Sequence, residues 1–187
     1  NSIISGDGKP LAQERIHDEY IKGIKQARDS VHFIELLEKY DLLKWVFHDM
    51  NITGDKVRSK SPIIVTASLL KNETGDFVTK LIRRLKFTKL QGKQIKFLID
   101  FLRDGRPETA FEFKERFKNT HIDGSILSQF GKLMGMDKQF VKAFIKYEIT
   151  TKGGDLVKQG FRGEALGNEK NKLETELFGI LMGKSLI

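Results

Sequence analysis

The sequence predicts an all-α protein: an elongated array of short amphipathic helices without a sheet. Only three of its 187 residues are prolines, so residues that break helices are rare. Val, Thr and Tyr are too sparse to form alternating strands, whereas Lys, Leu, Glu and Ile recur at helical spacing. Hydrophobic residues make up 39% and charged residues 31%, which is typical of a folded chain and argues against a disordered one.

Composition also limits the possible functions. The chain has 33 Lys and Arg against 25 Asp and Glu, a net charge of +8, which favours a polyanionic partner, although charge kept for solubility alone would give the same count. It has no cysteine, which excludes disulfides, thiolate nucleophiles and cysteine-based zinc sites. No apolar run is long enough to span a bilayer and no signal-peptide pattern opens the chain, so we expect a soluble, cytoplasmic protein without a membrane partner.

The first helices follow from the spacing of apolar residues. Residues 1–10 lack periodicity and begin without Met, so we expect an extended entry segment and a fragment of a longer protein. A helix is predicted over about 11–27, with Ile16, Tyr20 and Ile24 on its buried face. Asp29 or Ser30 is predicted to cap a second helix, and Trp45 to anchor a core. The expected buried stripe of the second helix is Phe33, Ile34, Leu36, Leu37 and Tyr40.

The middle of the chain alternates loops and helices. Residues 51–61 are polar and predict a loop, and Pro62 suits the first position of the helix that follows. A further helix over about 77–85 has apolar Val78 and Leu81 on one face and cations on the other. Gly92 is expected to interrupt the chain before the next helix, which begins near Ile95.

A turn at 104–107 (Asp-Gly-Arg-Pro) is the strongest break in the middle of the chain. It separates the last of three predicted segments, 105–187, from the two that precede it, 1–28 and 29–104. Short helices are expected over 108–117, 125–134 and 137–147. The last part, 150–187, is richer in glycine and predicts a short helix followed by a long one. The fourteen phenylalanines lie on nearly all of these apolar stripes and indicate a core rather than a base-stacking surface.

Catalytic patterns are weak. His17-Asp18 and His48-Asp49, with Asp100 or Asp104 as a distal acid, are compatible with a His-Asp metal site of a helical phosphohydrolase. Solvated helix ends explain these pairs better, since no further His completes the pattern. The Gly-Asp-Gly-Lys stretch at 6–9 lacks the Walker spacing and a preceding strand. We therefore assign no catalytic and no metal-binding residue to this chain.

The basic residues give more information. They form two groups: Arg83, Arg84, Lys86 and Lys89 around one helix end, and Lys152, Lys158, Arg162, Lys170 and Lys172 in the glycine-rich C-terminal part. Several phosphate contacts of this kind would make binding strongly salt-dependent. In the second group Asp155 is expected to cap a short helix, Gly160 to end it in the left-handed conformation, and Gly163 to open a second helix whose amides could seat a phosphate. A solvated lysine-rich face remains the alternative.

Three stretches resemble the class II nucleotidyltransferases, that is, the bacterial-type CCA-adding tRNA nucleotidyltransferases and their poly(A) polymerase relatives. The sequence Glu-Arg-Ile-x-x-Glu at 14–19 resembles the ERIxxE signature. Ala67-x-Leu69-Leu70 and the Leu-Lys-Phe-Thr stretch at 85–88 are similar to the helical body of that family. The stretch 154–167, Gly-Asp-Leu followed by Gly-x-x-Gly-x-x-x-Gly, resembles its tail motif, with Phe161-Arg162-Gly163 replacing the usual Pro-Gly-Pro turn.

The resemblance implies a division of labour. A head domain with a small sheet would hold Mg²⁺ and the CTP or ATP substrates. The neck, body and tail would hold the tRNA or another RNA 3′ end. This chain resembles the end of the neck with body and tail, so its partners would be RNA and a catalytic head that lies upstream, and no cofactor would bind here.

Residue roles carried over from the family are expectations too. Glu14, Arg15 and Glu19 would brace the nucleotide-selecting helix without doing chemistry. The positive charge of the two basic groups, rather than the family, is the ground on which we expect RNA contacts from Arg83, Arg84, Lys86, Lys152, Lys158, Arg162 and Lys170. A poly(A) polymerase portion, or a helical RNA- or protein-binding adaptor without enzymatic activity, remains an alternative.

Overall fold

The structure, a computed structural model, describes residues 12–47 and 52–183. Within these ranges the regular secondary structure is helical and there is no strand, which confirms the predicted all-α class. The described helices are α1 (Gln13–Gln26), α2 (Ser30–Lys39), α3 (Leu43–Phe47), α4 (Pro62–Leu69), α5 (Gly75–Arg84), α6 (Lys89–Asp104), α7 (Ala110–Lys118), α8 (Gly124–Leu133), α9 (Lys138–Lys146), α10 (Gly153–Lys158) and α11 (Gly163–Leu181), and a 3₁₀ turn lies at Pro107–Thr109.

Several helices begin at side-chain caps, and the cap at Asp29 is one that the sequence predicts. The Asp29 carboxylate accepts a hydrogen bond from the Val31 amide at 2.9 Å, and the Ser61 hydroxyl accepts one from the Ile64 amide at 3.4 Å. Pro62 occupies the first position of α4, as predicted. These caps satisfy amides that have no partner within the helix, which is why the helix starts are local properties of the sequence.

The described residues fall into two compact units, the first ending at Ile99 and the second beginning at Asp100. In the first unit α1 packs against α2, α3 and α4. Tyr20 is buried at the centre, with its hydroxyl 3.1 Å from the Thr66 hydroxyl and its ring edge-on to Phe47 at 5.5 Å. α4 is buried almost all round, which agrees with its uniformly apolar sequence.

Two expectations about the first core were wrong. In α2 only Ile34 of the predicted stripe is buried, while Leu36 and Tyr40 are 36% and 62% exposed. Trp45 is half-buried, and Val46 and Phe47 reach the core instead. A short helix such as α3 can bury only one face, and Leu43, Val46 and Phe47 lie on that face.

Gly92 does not interrupt the chain, contrary to the expectation. α6 begins at Lys89, where Thr88 and Gln91 cap each other reciprocally: the Thr88 amide donates to Oε1 of Gln91 at 2.9 Å and the Gln91 amide to the Thr88 hydroxyl at 3.2 Å. A Cβ atom at Gly92 would lie 2.7 Å from Cγ2 of Ile82. Glycine therefore serves here to let α6 approach α5 closely.

In the second unit α11 packs against α7, α9 and α10, and α8 packs against α9. Aromatic rings form its core. Phe101 stacks on Phe140 at 5.5 Å and meets Phe144 at 4.6 Å, and Phe178 packs edge-on against Phe140 at 5.9 Å. All fourteen phenylalanines of the chain are buried or half-buried, so the prediction that they form core rather than a stacking surface is confirmed.

Candidate nucleic-acid interface

The basic group of the first unit lies at the C-terminal end of α5. Arg83 and Lys86 are exposed, and Arg84 is half-buried with a buried Nε that has no hydrogen-bond partner in the described part of the chain. Lys86 adopts the left-handed conformation with φ of 53° and ends the helix in place of the usual glycine. Arg83 and Arg84 form part of the last turn of α5 and Lys86 follows it, while the opposite face of α5 is buried, so the position of these cations is set by α5.

Glu14 of the ERIxxE-like stretch contacts this same basic group. Its Oε1 lies 3.6 Å from Nζ of Lys86, with both side chains more than half exposed. Such an exposed pair contributes about 0–1 kcal/mol. Arg15 and Glu19 are exposed on α1, and neither forms an ion pair within the described residues. Their expected role as a brace concerns a helix outside this sequence and stays a prediction.

The C-terminal basic group is displayed on a helix–turn–helix formed by α10 and α11. Lys152, Lys158 and Arg162 are all exposed. Gly160 ends α10 in the left-handed conformation with φ of 96°, as predicted, and the Phe161 amide closes the turn by donating to the Leu156 carbonyl at 3.1 Å.

The start of α10 differs from the expectation. Asp155 lies inside the first turn of α10, and Lys152 occupies the capping position without a side-chain bond. Since a helix start follows the backbone geometry of the incoming chain, the two glycines at 153–154 allow α10 to begin before Asp155. Asp155 instead approaches Lys158 at 3.5 Å, an exposed pair one turn apart.

The start of α11 provides a second feature of this turn. Arg162 precedes α11 and makes no side-chain capping bond, and Gly163 has φ of 54°. The first amides of a 19-residue helix therefore have no side-chain acceptor here, beside two exposed cations. Exposed amides at the positive end of a helix dipole favour an anion.

Lys170, also predicted to contact RNA, is engaged within the protein. Its Nζ lies 3.2 Å from Oε1 of Glu115 and 4.8 Å from the centre of the Phe111 ring. The side chain is 26% exposed. Lys170 thus joins α11 to α7. The exposed cations that remain in the C-terminal basic group are Lys152, Lys158, Arg162 and Lys172.

Glu174 is the residue of this region that sequence reasoning missed. It is fully buried in α11. Its carboxylate accepts hydrogen bonds from the Tyr147 hydroxyl and from the amides of Thr150, at 2.9 Å, and Thr151. The chain segment just before Lys152 is therefore fixed to α11 by one carboxylate. Its position four residues before buried Phe178 was the available signal, because residues four apart share a helix face.

The protonation of this buried pair follows from its contacts. Burial raises the pKa of Glu174, but the hydrogen bonds from Thr151, Tyr147 and Thr150 outweigh it and hold that pKa below the usual value. Burial, and then the adjacent Glu174 carboxylate, raise the pKa of the Tyr147 hydroxyl. The pair is therefore a carboxylate and a neutral phenol over the physiological range, and the phenol is the donor.

Lys114 is a second buried charge that the sequence did not reveal. Its side chain is 3% exposed, and Nζ donates to the carbonyls of Phe144 at 3.2 Å and Ile145 at 3.1 Å near the end of α9. Burial lowers its pKa, while Glu148 opposes that shift and Lys118 adds to it. Lys114 satisfies carbonyls that have no partner within the helix.

The residues of the alternative His-Asp metal site are not brought together in the described part of the chain. His17 packs edge-on against Phe87 at 4.8 Å, with Nδ1 3.2 Å from Asp18. His48 and Asp49 lie outside the described residues. Asp100 pairs with Arg116. Across residues 12–47 and 52–183 no three His, Asp or Glu side chains are grouped as metal ligands.

Comparison of this chain with known proteins identified no relative. Searches against protein-family models, curated proteins and solved structures found no match. None of the helices in the described ranges combines the length and apolar composition needed to cross a bilayer.

Proposed function

We propose that this chain is the tRNA-binding helical portion of a CCA-adding tRNA nucleotidyltransferase-like enzyme of the cytoplasm. The observation that carries the proposal is the anchored turn between α10 and α11. There Lys152, Lys158 and Arg162 are exposed on a short helix–turn–helix whose entry is fixed by buried Glu174. This is the part of the chain whose sequence resembles the family's tail motif.

The physical role of this turn is to hold phosphates. Lys158 and Arg162 supply positive charge, and the first amides of α11 supply hydrogen-bond donors that a phosphate can accept. Because the turn is anchored, little conformational entropy is lost on binding. Contacts of this kind position an RNA without reading its sequence.

The exposed cations at the end of α5 provide a second contact in the proposal. Arg83 and Lys86 would meet another part of the same RNA, with Glu14 restraining Lys86. Glu14, Arg15 and Glu19 would support a nucleotide-selecting helix of the whole enzyme. Mg²⁺, CTP and ATP would belong to a catalytic head, whose carboxylate motifs this sequence does not contain.

The first test is RNA binding by a Lys158→Ala/Arg162→Ala variant. The probe is a tRNA lacking its 3′ CCA, and the dissociation constant is measured by fluorescence anisotropy over a series of salt concentrations. Loss of two phosphate contacts should lower the slope of log K against log salt by about 2. Lys22→Ala/Lys25→Ala removes the same charge from exposed positions of α1 and is the matched control. An unchanged slope in the tail variant would reject the phosphate-binding role of the turn.

A second test separates the alternatives. Single-stranded poly(A) is compared with tRNA as a competitor: preference for poly(A) would favour the poly(A) polymerase alternative, and no RNA binding at all would favour a protein-binding adaptor. The chain is also incubated with the shortened tRNA, CTP, ATP and Mg²⁺. We expect no extension, and efficient CCA addition by this chain alone would contradict the assignment of chemistry to a separate head.

A further inference from the structure

The outer face of α9 carries three lysines at four-residue spacing: Lys138, Lys142 and Lys146, here called the α9 lysine face. All three are exposed. Residues four apart lie on one side of a helix, roughly 6 Å apart along its axis. The helix sequence, KQFVKAFIK, contains no acidic residue, so no carboxylate on α9 itself offsets these charges.

The acids nearest in sequence are already engaged. Asp137 caps α9 by accepting from the amides of Gln139 at 2.7 Å and Phe140 at 3.4 Å. Glu148 lies 3.8 Å from Lys114 and 3.9 Å from Lys118. Within the described residues none of the three lysines of the face forms an ion pair. The face is therefore a row of positive charge without internal compensation.

The face has a rigid support. On the opposite side of α9, Phe140, Val141 and Phe144 are buried. α8 approaches α9 closely: a Cβ at Gly131 would lie 2.9 Å from Cγ2 of Val141, so a larger residue would force Val141 or the helices to shift. Lysines on such a helix keep a fixed mutual spacing at their Cα positions, which suits a partner whose negative charges are regularly spaced.

The surroundings decide which polyanion fits. The large hydrophobic side chains in the exposed class in the second unit are Val157, Leu177, Ile180 and Leu181; none of them is aromatic and none lies on α9. A surface without exposed aromatic rings cannot stack unpaired bases. The fixed spacing of the three lysines therefore favours a partner recognised through regularly spaced phosphates, as in a base-paired duplex.

We propose that the α9 lysine face binds the phosphate backbone of a nucleic-acid duplex, independently of sequence. This surface is separate from the α10–α11 turn and was not among the basic groups identified in the sequence. Charge and exposure carry this inference, which is independent of the family resemblance.

The test is binding of a blunt-ended RNA duplex, without single-stranded ends, to the triple variant Lys138→Ala/Lys142→Ala/Lys146→Ala. Three lost phosphate contacts should lower the slope of log K against log salt by about 3 and weaken binding at least about tenfold at low salt. Alanine preserves helix formation, and circular dichroism checks that the variant is folded. The control Lys22→Ala/Lys25→Ala/Lys39→Ala removes equal charge from exposed positions of α1 and α2 and should change the slope less.

Two further arms make the result specific. The Lys→Arg triple keeps the charges and should retain the wild-type slope. Vesicles containing anionic lipid are tested in parallel. The proposal would be overturned if the wild type and the alanine triple variant bound the duplex with equal slopes of log K against log salt. It would also be overturned if the alanine triple variant lost binding to the vesicles but not to the duplex. The tail variant Lys158→Ala/Arg162→Ala is measured on the same duplex. If it binds normally while the α9 variant does not, the α9 face stands even if the proposed function fails.

Discussion

Replacing Glu174 should destabilise the second unit more than replacing any other carboxylate of α11. In Glu174→Leu the Tyr147 hydroxyl and the amides of Thr150 and Thr151 lose their acceptor. Hydrogen bonds to a charged acceptor contribute about 1.5–3 kcal/mol each, and a buried donor without a partner costs about 1–3 kcal/mol. Because Thr150 is exposed, water can replace part of this loss. We expect a decrease in the free energy of unfolding of about 2–5 kcal/mol.

Two variants distinguish hydrogen bonding from packing. Glu174→Gln keeps one oxygen for the two amides but loses the charge, and should cost about 1–2 kcal/mol. Glu176, two residues on in α11, is only half-buried, so Glu176→Leu is the matched control and should change stability by less than about 0.5 kcal/mol.

Urea unfolding followed by circular dichroism measures the stability of these variants, and hydrogen exchange detected by mass spectrometry follows the segment that contains Thr150 and Thr151. That segment should exchange faster in Glu174→Leu and as in the wild type in Glu176→Leu. If Glu174→Leu unfolds at the wild-type urea concentration with unchanged exchange, the carboxylate does not anchor the tail.

The pH dependence of the same contact has a defined sign. The folded-state pKa of Glu174 is below its ordinary value of 4.5, so the folded protein binds the proton less readily than the unfolded chain. Its stabilising contribution is therefore present above pH 4.5 and is lost as the pH falls through the lower, folded-state pKa. The difference in stability between wild type and Glu174→Gln should shrink in that acidic window, and a constant difference would contradict the assigned protonation.

Two further variants test packing and the second buried charge. Gly92→Ala should be less stable than Gly167→Ala by about 1–3 kcal/mol, because the new Cβ meets Ile82 in the first case and open space in the second; equal unfolding free energies would refute the close approach. Burial lowers the pKa of Lys114 from 10.5, so the unfolded chain binds more protons between the lowered value and 10.5, and stability should rise with pH across that window. Lys114→Met should remove this rise in urea unfolding, and a wild-type rise in the variant would assign it to another group.

Local chemistry determined much of this protein from its sequence alone. The helical class, the cap at Asp29, the first position of α4 at Pro62 and the left-handed end of α10 at Gly160 all follow from residues within a few positions of one another. The core role of the phenylalanines follows similarly, because helical periodicity repeats along the chain.

Tertiary structure decided which side of each helix is buried and which charges are used internally. The sequence predicts a helix break at Gly92, but in the structure this glycine allows close packing against Ile82 within a continuous helix. The sequence predicts Trp45 as a core residue, but Phe47 occupies the core instead. Glu174 and Lys114 are ordinary charges in the sequence, and only the partners brought from distant positions make their burial favourable. Glu115 of α7 pairs with Lys170, whereas no carboxylate in the described residues pairs with the α9 lysine face. Whether a lysine forms an ion pair depends on residues that are distant in the sequence, so the local sequence does not determine it.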